Sequence, residues 1–586
     1  MRISRFQSTG VGHQASVGNA EIAATLYRLG ELLEIEGANP FRVRAYRNAA
    51  RVVEGHPQDI AAMVARGEDL SELPGIGKDL AGKIGEIVNT GHLALLDQVE
   101  KRVPGELAAL ARLPGLGPKR IKLMYERLRI DSLDKLERAA RAGKLRSLPG
   151  FGAKTEQKLL NEILRRSTRA NRIKLAVAER SAEPLLAWLR DLPGVMQAEI
   201  AGSYRRRAET VGDIDILVSA RKPAVVIERF VDYDQTGEVL ARGSTRAALR
   251  LRSGLQVDLR VVGDTSFGAA MQYFTGNKAH NIALRQRARQ NGLKVNEYGV
   301  FRAKLRIAGK TETEVYAALG LPLIPPELRE NRGEIEAALS QRLPRLIALD
   351  QIRGDLHVHT DATDGIHSLA EMAAGARALG YDYVAIADHS RRVTVAHGLD
   401  SRRLAAQIRA IDALNHRLEG VRVLKSCEVD ILEDGRLDLP DKVLAELDLV
   451  IGAVHSNFNL ARERQTERVI RAMDHSCFTI FAHPSGRLIG ERAAYDIDME
   501  RVMVEAKARG CFLEVNGHPD RLDLDDRHCL LAKEIGLKLA ISTDAHSVAA
   551  LGDMRHGVDQ ARRGWLEAKD VINTRSLSAL GTLLRR

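Results

Sequence analysis

Short apolar segments that each lead into a stretch of helical periodicity fill the chain after residue 350, and this alternation constrains the fold more than any other feature. In order, the segments are DLHVH, YVAIADH, VRVLKSCEVDI, LDLVIGAVH, FTIFAHP, CFLEVNG and LKLAISTDAH. Strands that alternate with helices form parallel sheets, and a closed parallel sheet carries its functional side chains at the carboxyl ends of the strands. The pattern therefore predicts a parallel barrel over residues 351–586 with a site at the strand ends.

The ends of these segments carry most of the histidines of the chain, because 13 of the 17 follow residue 350. A lone histidine is more often a satisfied core or surface residue than a metal ligand. Nine nitrogen and oxygen donors at successive strand ends, however, suit two or three transition metals such as Mn, Zn or Fe. These candidate ligands are His357, His359, Asp364, His389, Glu428, His455, His483, Asp544 and His546.

The two parts of the chain also differ in charge. Residues 351–586 hold 32 basic and 36 acidic residues, a net charge of −4, whereas residues 1–350 hold 56 and 41, a net charge of +15, so the formal charge of +11 comes entirely from the front part. A basic surface suits a polyanion such as nucleic acid, although ordinary solvation would also explain it. No apolar run reaches about 18 residues, so no membrane span is expected. Four cysteines without close pairing fit a cytoplasmic protein, with Cys427 in its core.

Three copies of the motif L-P-G-x-G punctuate residues 20–165, which otherwise show helical periodicity. The glycines permit a tight turn between two helices, and the exposed backbone N–H groups can accept a phosphate. One such motif is usually an ordinary helix connector, but three copies resemble helix-hairpin-helix modules, which bind the DNA backbone without reading sequence. The candidate DNA-binding residues are Gly75, Gly77, Lys78, Gly115, Gly117, Lys119, Gly150, Gly152 and Lys154.

Residues 202–217, GSYRRRAETVGDIDIL, place two acids shortly after three bases. On a strand, Asp213 and Asp215 point to one face because side chains alternate with a period of two, and their carboxylates can share a divalent metal. Asp258, in the alternating segment LQVDLRV, supplies a third acid from another strand. Hard oxygen ligands with open water positions suit Mg²⁺. Taken alone, the motif is better explained by chance, because two acids at this spacing occur on many edge strands.

The order of the motifs in the front part resembles the family X DNA polymerases. GSYRR followed by GDIDIL is similar to their nucleotidyltransferase signature, and YFTG (273–276) and GLKVNEYGVF (292–301) follow in the same order. The resemblance covers about residues 20–330. It implies a DNA polymerase that uses Mg²⁺ or Mn²⁺, deoxynucleoside triphosphates and gapped or primed DNA, and that fills short gaps in base excision repair.

The same resemblance implies roles for individual residues. Asp213, Asp215 and Asp258 would bind the catalytic metals, and Asp258 would help to activate the primer 3′-hydroxyl. Arg207 and Gln256 depart from the vertebrate members, which usually carry glycine and arginine at these positions. The residues that would hold the nucleotide are Gly202, Ser203, Arg206 and Gly212 at its triphosphate, and Tyr273, Phe274, Gly276 and Asn281 around its sugar and base.

Residues 20–98 resemble the small lyase-type domain of the same family. Lys83 falls where members that remove a 5′-deoxyribose phosphate carry their Schiff-base lysine. Asp79, one turn earlier, replaces an expected lysine, and a Schiff-base lysine needs nearby cations or burial to become nucleophilic. We therefore expect this domain to act first as a 5′-phosphate binder, and Lys83 is its candidate residue for lyase chemistry.

Residues 351–575 resemble the PHP domain, a phosphoesterase domain with a (β/α)7-type barrel, and all nine ligand positions are present. By resemblance, one metal would take His357, His359, Glu428 and Asp544. A second would share Glu428 with His455 and His483, and a third would take Asp364, His389 and His546. The resemblance implies 3′→5′ exonuclease, abasic-site endonuclease or 3′-phosphatase activity. His367, His397, His475, His518, His528 and His556 fit no ligand position and are expected at the surface or the substrate edge, where His397 and Arg391 are candidate phosphate contacts.

The predicted architecture is a multidomain α/β protein, thought to act as a monomer. Two rival functions remain at this point: a phosphoesterase whose front half only docks on DNA, and a scaffold without enzymatic activity that binds DNA ends. The predicted domains are a disordered tail (1–19), a lyase-like helical domain (20–98), a helix-hairpin-helix domain of the fingers type (99–170), a nucleotidyltransferase palm (171–262), an α+β thumb (263–330), a helical linker (331–350) and the PHP barrel (351–586).

Overall fold

The structure is a computed structural model of the 586-residue chain. It describes residues 19–54, 60–73, 75–104, 107, 110, 113, 116–152, 155–160, 163 and 172–584. The chain divides into two compact units, Met1–Asn171 and Arg172–Arg586. Apart from Asn19, the tail predicted at residues 1–19 lies outside the described residues.

The first unit is helical, as its periodicity predicts. Leu26, Leu29 and Leu33 recur at three- and four-residue spacing on the first helix, and they are buried in the same core as Tyr46 and Ala50 of the second. Residues 155–160 are also helical. The helices of this unit are Asn19–Glu36, Pro40–Glu54, Ile60–Ala65, Lys78–Thr90, Ala94–Arg102, Pro118–Leu128 and Leu133–Arg141, with single 3-10 turns at Leu70–Glu72 and Leu145–Ser147.

The three glycine motifs share one backbone hydrogen bond. In each copy a backbone N–H bonds to the leucine carbonyl three residues earlier, from Ile76 to Leu73, from Leu116 to Leu113 and from Phe151 to Leu148. Gly75 and Gly150 have φ of +80°, the value that a type II turn requires at its third position and that glycine adopts without strain. The second glycine of each motif then precedes a helix and accepts its first backbone hydrogen bond, at Gly77, Gly117 and Gly152.

The second unit begins with a five-stranded mixed sheet, the palm. Its two central strands, Asp213–Ala220 and Gln256–Val262, are parallel, and the remaining neighbours are antiparallel. The helices Leu175–Arg190, Gly202–Arg205 and Pro223–Val231 belong to this part, and Ile173–Lys174 pairs with Thr210–Val211. The strand order is Val195–Ile200, Asp213–Ala220, Gln256–Val262, Arg246–Leu251 and Thr236–Arg242.

A smaller α+β part, the thumb, follows the palm. A hydrophobic core that includes Leu284, Val300 and Tyr316 holds its elements together. Thr311 caps one helix reciprocally with Glu314, which satisfies backbone N–H groups at the helix start. Its helices are Phe267–Thr275, Lys278–Gln290 and Glu312–Ala318, and its antiparallel strands are Lys294–Asn296, Gly299–Arg302 and Leu305–Ala308.

The rest of the second unit is the predicted parallel barrel. Its seven strand segments are Gly354–Val358, Tyr383–Ile386, a third that is broken into Arg422–Lys425 and Glu428–Asp430, Val450–Ala453, Phe478–Phe481, Phe512–Asn516 and Leu539–Ser542. Parallel bridges between His389 and Glu428 and between Val358 and Ala545 join the strand groups into a ring. The helices are Leu369–Ala378, Ser401–Asn415, Asp441–Leu444, Arg462–Met473, Met499–Arg509, Asp526–Ile535, Met554–Arg563 and Leu577–Leu584.

Alternate residues of the barrel strands enter two different cores. Val384, Ile386 and Val423 belong to a large cluster that also contains helix residues, whereas Tyr383, Ala385 and Leu424 belong to a second cluster built mainly from strand residues. Leu577, Leu580, Leu583 and Leu584 of the last helix also join the second cluster. Cys427 is fully buried, as predicted.

The helical turn Gly202–Arg205 separates the strand Val195–Ile200 from the strand that carries the two acids. One local prediction is wrong. The predicted helical linker 331–350 is α-helical only at Glu334–Leu339, and part of it is buried against the thumb. Glu334 is buried and accepts a hydrogen bond from His280 of the thumb at 2.5 Å. Among the described helices, none combines the length and apolar character that a bilayer crossing requires.

Candidate active sites

The palm brings its three predicted acids together on one face of its sheet, and this group of carboxylates is called the acid edge. Asp215 and Asp258 are register partners on the two parallel central strands, and Asp213 lies two residues before Asp215 on the same face. Ile214 between them is fully buried, so the strand alternates as its sequence predicts. The Gln256 side-chain amide donates a hydrogen bond to Asp258 Oδ2 at 2.9 Å and so orients that carboxylate.

The turn at Gly202 approaches this acid edge very closely. A Cβ placed on Gly202 would lie 2.6 Å from Asp215 Oδ2, and the φ of Gly202 is +63°. A backbone hydrogen bond holds this turn close to the strand that carries Asp215, because Ala201 N–H donates to the carbonyl of Asp215 at 2.7 Å. Only glycine fits at this position without strain or a shift of Asp215.

The electrostatics of the acid edge favour a bound cation. Burial, followed by the negative charges of Asp213 and Asp258, raises the pKa of Asp215 to about 7. Burial and Asp258 likewise raise the pKa of Asp213. Carboxylates that make each other's ionisation unfavourable are stabilised by a divalent metal, and an all-oxygen donor set suits Mg²⁺ or Mn²⁺. These residues therefore fit the metal that the sequence predicts.

Each of the three consecutive arginines has a carboxylate partner in the structure. Arg205 pairs with Glu312 of the thumb, with its two guanidinium contacts at 2.5 and 3.0 Å. Arg206 donates from Nε to Glu330 at 3.0 Å and from Nη1 to the carbonyl of Thr275 at 2.6 Å. Arg207 pairs with Glu179 and with Asp559 of the barrel part. The arginines thus link the palm turn to both neighbouring parts of the unit.

The predicted nucleotide-binding residues outside the palm sheet lie at the end of the first thumb helix, Phe267–Thr275. Tyr273 and Phe274 are half-buried and contact each other edge to face with ring centroids 5.1 Å apart. Asn281 is buried and donates from its amide to the carbonyl of Tyr273 at 2.7 Å, so it supports this turn. Gly276 lies beside Arg206, whose Nη1 would be 3.4 Å from an added Cβ. Ser203 and Gly212 are half-buried in the palm.

The barrel brings all nine predicted donors together at the carboxyl ends of its strands. His359 Nε2 lies 3.1 Å from His357 Nε2 and 3.1 Å from Asp544 Oδ1. Glu428 is at the centre, with Oε1 at 2.7 Å from His483 Nε2 and at 3.3 Å from His455 Nε2. In a second contact, His389 Nδ1 lies 2.8 Å from Glu428 Oε2, and Asp364 lies 3.4 Å from both His389 Nε2 and His546 Nε2.

Three groups of ligand atoms are compact enough to hold an ion. In each group the candidate atoms lie within 4.8 Å of one another, and among the described residues such groups occur only in the barrel. The palm carboxylates are thus more widely spaced than the barrel donors. The grouping also differs from the predicted one, because Glu428 falls with His389 and His455. The groups are His359, Asp364, His389 and His546; His357, His359 and Asp544; and His389, Glu428 and His455.

His359 and Glu428 are in the protonation state that a metal requires. His359 Nδ1 is also buried without a hydrogen-bond partner among the described residues. Burial and the neighbouring His389 lower the pKa of His359 to about 4, so its ring is neutral. The pKa of Glu428 is well below its ordinary value, because the surrounding histidines outweigh its burial. A mixed imidazole and carboxylate set of this kind fits Mn, Zn or Fe.

Four polar residues that the sequence analysis missed hold these donors in place. Glu514 Oε1 lies 2.8 Å from His357 Nδ1, and Asp430 Oδ1 lies 3.5 Å from His455 Nδ1. A carboxylate on the far nitrogen of a ligating histidine fixes the ring orientation and tautomer. Asn516 donates to Asp544 Oδ2 at 3.1 Å, and the guanidinium of Arg521 lies 3.4 Å from the same oxygen. In sequence these residues look like ordinary polar residues in or after a strand.

One further missed residue belongs to the palm. Arg260 follows Asp258 by two residues and shares its half-buried face, and its guanidinium lies 4.6 Å from the ring centroid of Phe274. Its charge acts against the rise in the pKa of Asp215. The period of two along the strand could have indicated this position, since it places Arg260 on the face of the acids.

The hairpin residues within the described part of the chain are exposed. No described atom lies within 4 Å of a Cβ added at Gly75, Gly77, Gly117 or Gly152. Lys78 and Lys119 begin helices next to these turns and are exposed, as an approaching DNA phosphate requires. Gly150 has only the Arg120 side chain nearby, at 3.9 Å. Gly115 and Lys154 lie outside the described residues.

Lys83 is ion-paired with Asp79, one helical turn earlier. The lysine side chain is 17% exposed, and the aspartate is 80% exposed. A carboxylate in contact with an ammonium group favours its charged form, whereas a Schiff-base nucleophile must be neutral. The substitution noticed in the sequence thus places an anion directly on the candidate nucleophile.

The six histidines that were predicted at the surface or the substrate edge lie outside the three ligand groups. His397 is exposed at the end of the turn Thr394–Ala396, and Arg391 is also exposed, as expected for the substrate edge. His556 differs from the prediction, because it is only 2% exposed. It is buried at the contact between the barrel helix Met554–Arg563 and the palm, where its Nε2 lies 3.7 Å from Glu179. The helical face that carries it points away from solvent.

Comparison with known proteins agrees with this arrangement of parts. The matching protein-family models are a helix-hairpin-helix domain (residues 17–93), a SAM-like helix-hairpin-helix tandem (107–164), the DNA polymerase beta palm (172–256), the DNA polymerase beta thumb (270–330) and the PHP domain (355–518). Palm acids, thumb and a histidine-rich barrel in this order define the family X DNA polymerases with a C-terminal PHP domain, and the chain belongs to that family.

Individual relatives cover either the whole chain or one of its parts. The chain is 39% identical over 573 residues to the DNA polymerase/3′-5′ exonuclease PolX of Bacillus subtilis, an alignment that spans 97% of this chain and 99% of that protein. It is 30% identical over 231 residues to a probable phosphatase of Thermoanaerobacter sp., covering 38% of this chain and 89% of that protein. It is 22% identical over 342 residues to DNA polymerase lambda of Rattus norvegicus, covering 53% and 56% respectively.

Proposed function

We propose that the protein fills short gaps in DNA during base excision repair and trims DNA ends with its barrel, acting as a 3′→5′ exonuclease. The observation that carries this proposal is the register pairing of Asp215 with Asp258 beside the glycine turn, in the same compact unit as the nine-donor barrel site. One chain thus has an all-carboxylate site for phosphoryl transfer and a separate imidazole-rich site for hydrolysis. Family membership supports the same pair of activities.

In the proposed polymerase reaction, the primer 3′-oxygen forms a bond to the α-phosphorus of the nucleotide as the bond to pyrophosphate breaks. Asp258 accepts the hydroxyl proton, since Gln256 occupies only one of its oxygens. Arg206 holds the triphosphate, because its bonds to Glu330 and Thr275 use two of its five N–H donors. Tyr273 and Phe274 pack against the sugar and base. When bound, Mg²⁺ or Mn²⁺ would stabilise the charge that develops on the phosphate oxygens.

In the proposed hydrolytic reaction, the barrel binds a phosphodiester at the carboxyl ends of its strands. Glu428 and Asp544 remain ionised and His359 neutral, so that two or three ions of Mn, Zn or Fe can be held there to activate water and neutralise the phosphate. Arg521 is partly exposed beside Asp544 and is available to a phosphate oxygen. The similarity of this part to a probable phosphatase supports 3′-phosphatase activity as a further reaction of the same site. Abasic-site endonuclease activity is proposed there as well, because it also cleaves a phosphate ester of DNA.

We further propose that the first unit binds gapped or primed DNA through its hairpins. Backbone N–H groups and exposed lysines would contact phosphates, so the affinity for DNA should fall steeply with salt concentration. The ion pair with Asp79 argues for binding of the 5′-phosphate rather than lyase chemistry at Lys83. The protein is proposed to act as a monomer in the cytoplasm.

The test uses a labelled primer on a gap of one nucleotide with a 5′-phosphate, and a sequencing gel as readout. Asp215→Asn should abolish extension with deoxynucleoside triphosphates and preserve shortening without them. His357→Ala should do the reverse. The matched controls are Asp234→Asn, an exposed acid of the palm, and His367→Asn, a barrel histidine outside the ligand groups, and both should retain both activities.

Three outcomes would count against the proposal. Loss of both activities in either site variant, with both controls active, would contradict two separate sites. Shortening without any extension by the wild-type protein would leave the front half as a DNA-docking module. Binding to gapped DNA without turnover under any divalent metal would indicate a scaffold.

A further inference from the structure

The barrel helix Met554–Arg563 lies against the palm turn that contains the three arginines. Arg555 donates to Glu179 at 2.6 Å, and Asp559 accepts from Arg207 at 2.7 Å. At the end of the same helix, Arg563 donates hydrogen bonds to Arg206 and Glu330. One helix of the nuclease part therefore borders the candidate nucleotide site of the palm.

Arg563 is linked to Arg206 in two ways, directly through the main chain of Arg206 and indirectly through Glu330. Its Nη1 donates to the backbone carbonyl of Arg206 at 2.7 Å and to Glu330 Oε1 at 2.9 Å. Glu330 Oε1 in turn accepts from Arg206 Nε at 3.0 Å. Arg563 thus fixes both the main chain of Arg206 and the carboxylate that orients its guanidinium.

The remaining donors of Arg563 hold the arginine itself in place. Its Nη2 donates to Asp526 Oδ2 at 2.7 Å, and Arg332 contacts the same oxygen at 3.1 Å. Arg563 is only 7% exposed, so its charge depends on these partners. Although burial alone would raise the pKa of Glu330, Arg563 and Arg206 lower it to about 2, and the carboxylate stays ionised.

The other oxygen of Glu330 extends the arrangement to the thumb turn. Asn277 donates from its amide to Glu330 Oε2 at 2.7 Å, directly after Gly276 of the predicted nucleotide pocket. Arg206 meanwhile donates to the carbonyl of Thr275 in that turn. Removal of Arg563 would take one of two arginine partners away from Glu330 and leave the carbonyl of Arg206 without its hydrogen bond from Arg563. Both changes would loosen the hold on the Arg206 guanidinium.

We propose that Arg563, a residue of the PHP part, is a positioning residue for the polymerase reaction: through Glu330 and the main chain it holds Arg206 ready for the triphosphate of the incoming nucleotide. This inference rests on the proposed polymerase function and on the role of Arg206 in it. The nuclease half is then a structural component of the nucleotide site, and its removal impairs nucleotide binding even where the palm remains folded.

The neighbouring residue provides the matched control. Arg562 also joins the barrel helix to the thumb, with its Nε 2.8 Å from Glu327, and it donates to the carbonyl of Ile347. None of its described bonds is to Arg206 or Glu330. Arg562→Ala therefore removes an interdomain ion pair whose arginine side chain is 26% exposed, against 8% for that of Arg563, and leaves the positioning contacts intact.

The experiment measures steady-state gap filling and 3′→5′ exonuclease activity on the same full-length preparations of wild type, Arg563→Ala, Arg563→Lys, Glu330→Gln and Arg562→Ala. A buried charge-assisted hydrogen bond contributes roughly ten-fold or more to an equilibrium constant. We expect KM for the nucleotide to rise about ten-fold or more in Arg563→Ala, with exonuclease turnover within about two-fold of wild type. Arg563→Lys should recover part of the loss, and Glu330→Gln should raise KM even if Arg563→Ala does not fold.

The alternative outcomes are distinguishable. An equal effect of Arg563→Ala and Arg562→Ala on KM, or a parallel loss of polymerase and exonuclease activity, would assign Arg563 to general interdomain cohesion and overturn the inference. An unchanged KM in Glu330→Gln would also overturn it. If the wild-type protein incorporates no nucleotide while its exonuclease is active, the proposed polymerase function fails, and the inference fails with it.

Discussion

Replacing Gly202 by alanine should separate the catalytic from the structural importance of one glycine. The added Cβ would stand 2.6 Å from Asp215 Oδ2, a distance that Cβ atoms do not tolerate. The atom in the way is the free end of a side chain, so the carboxylate can turn aside by roughly 0.5–1 Å at little cost in stability. The same movement takes a metal ligand out of position, and a displacement of about 1 Å at a reacting centre can reduce the rate about 100-fold.

Gly194→Ala is the matched control, because Gly194 is in the same palm and has φ of +87° with no described atom within 4 Å of an added Cβ. Both substitutions force alanine into a left-handed conformation, which costs about 1–2 kcal/mol. We therefore expect similar losses in the free energy of unfolding for the two variants. Only Gly202→Ala should lose polymerase activity, by about 100-fold.

The assay combines chemical denaturation with single-turnover gap filling and with exonuclease activity as an internal reference. Gly202→Ala should keep its exonuclease activity, since the barrel donors do not contact Gly202. The reasoning is refuted if Gly202→Ala fills gaps as fast as Gly194→Ala, because polymerase activity would then not depend on the present position of the Asp215 carboxylate. A much larger loss of stability in Gly202→Ala would equally show that the carboxylate cannot move aside.

Three further predictions concern other parts of the protein. Glu514→Gln should weaken metal retention or exonuclease activity about 10- to 100-fold, because a carboxylate no longer orients His357. Excess Mn²⁺ should restore part of the exonuclease activity, and gap filling should be unaffected. Unchanged metal affinity by calorimetry would contradict this. Burial, with Arg555 and Arg207 as further causes, lowers the pKa of His556 from 6.5 to about 3, so the unfolded chain takes up this proton first as the pH falls through 6.5. The contribution of His556 to the free energy of unfolding is complete above pH 6.5 and about 2 kcal/mol smaller at pH 5. In His556→Gln the free energy of unfolding should therefore fall less between pH 7 and pH 5 than in the wild type, and an equal fall in both proteins would refute the assignment. Asp79→Ala should increase borohydride trapping of Lys83 on a 5′-deoxyribose phosphate end, and equal trapping in both proteins would mean that the ion pair does not restrain the lysine.

Features that depend on a short stretch of chain were predictable from the sequence. The hairpin turns follow from proline and glycine at fixed positions, and the two acids follow from the period of a single strand. The barrel donors were also predictable, because they lie at or shortly after the ends of apolar segments and parallel strands bring their ends together. Family membership and the order of parts are confirmed by the comparisons. The roles of individual site residues stay predictions.

Features that depend on packing between distant segments were not predictable. Glu514 contacts His357 from 157 residues away, and in CFLEVNG it looks like one charged residue in an apolar strand. Arg206 was predicted to hold the triphosphate, and nothing in the sequence indicated that its guanidinium would also have a carboxylate partner 124 residues away. His556 looked like a surface residue because its helix is polar, but the palm covers that face. Pairings of this kind are set by the tertiary structure and leave no periodic signal.

The closure of the barrel has a consequence for how the protein is made. Asp355 in the first strand accepts hydrogen bonds from Thr543 just after the last strand, 188 residues later, and the final helix Leu577–Leu584 joins the second cluster only after that. During synthesis the helical unit and the palm leave the ribosome first and can acquire their folds while the barrel is still unfinished. The hydrolytic centre, whose donors come from strands throughout the barrel, therefore forms only when almost the whole chain has been made, and a chain that stops before the last donors cannot cut DNA even if its front half already binds it.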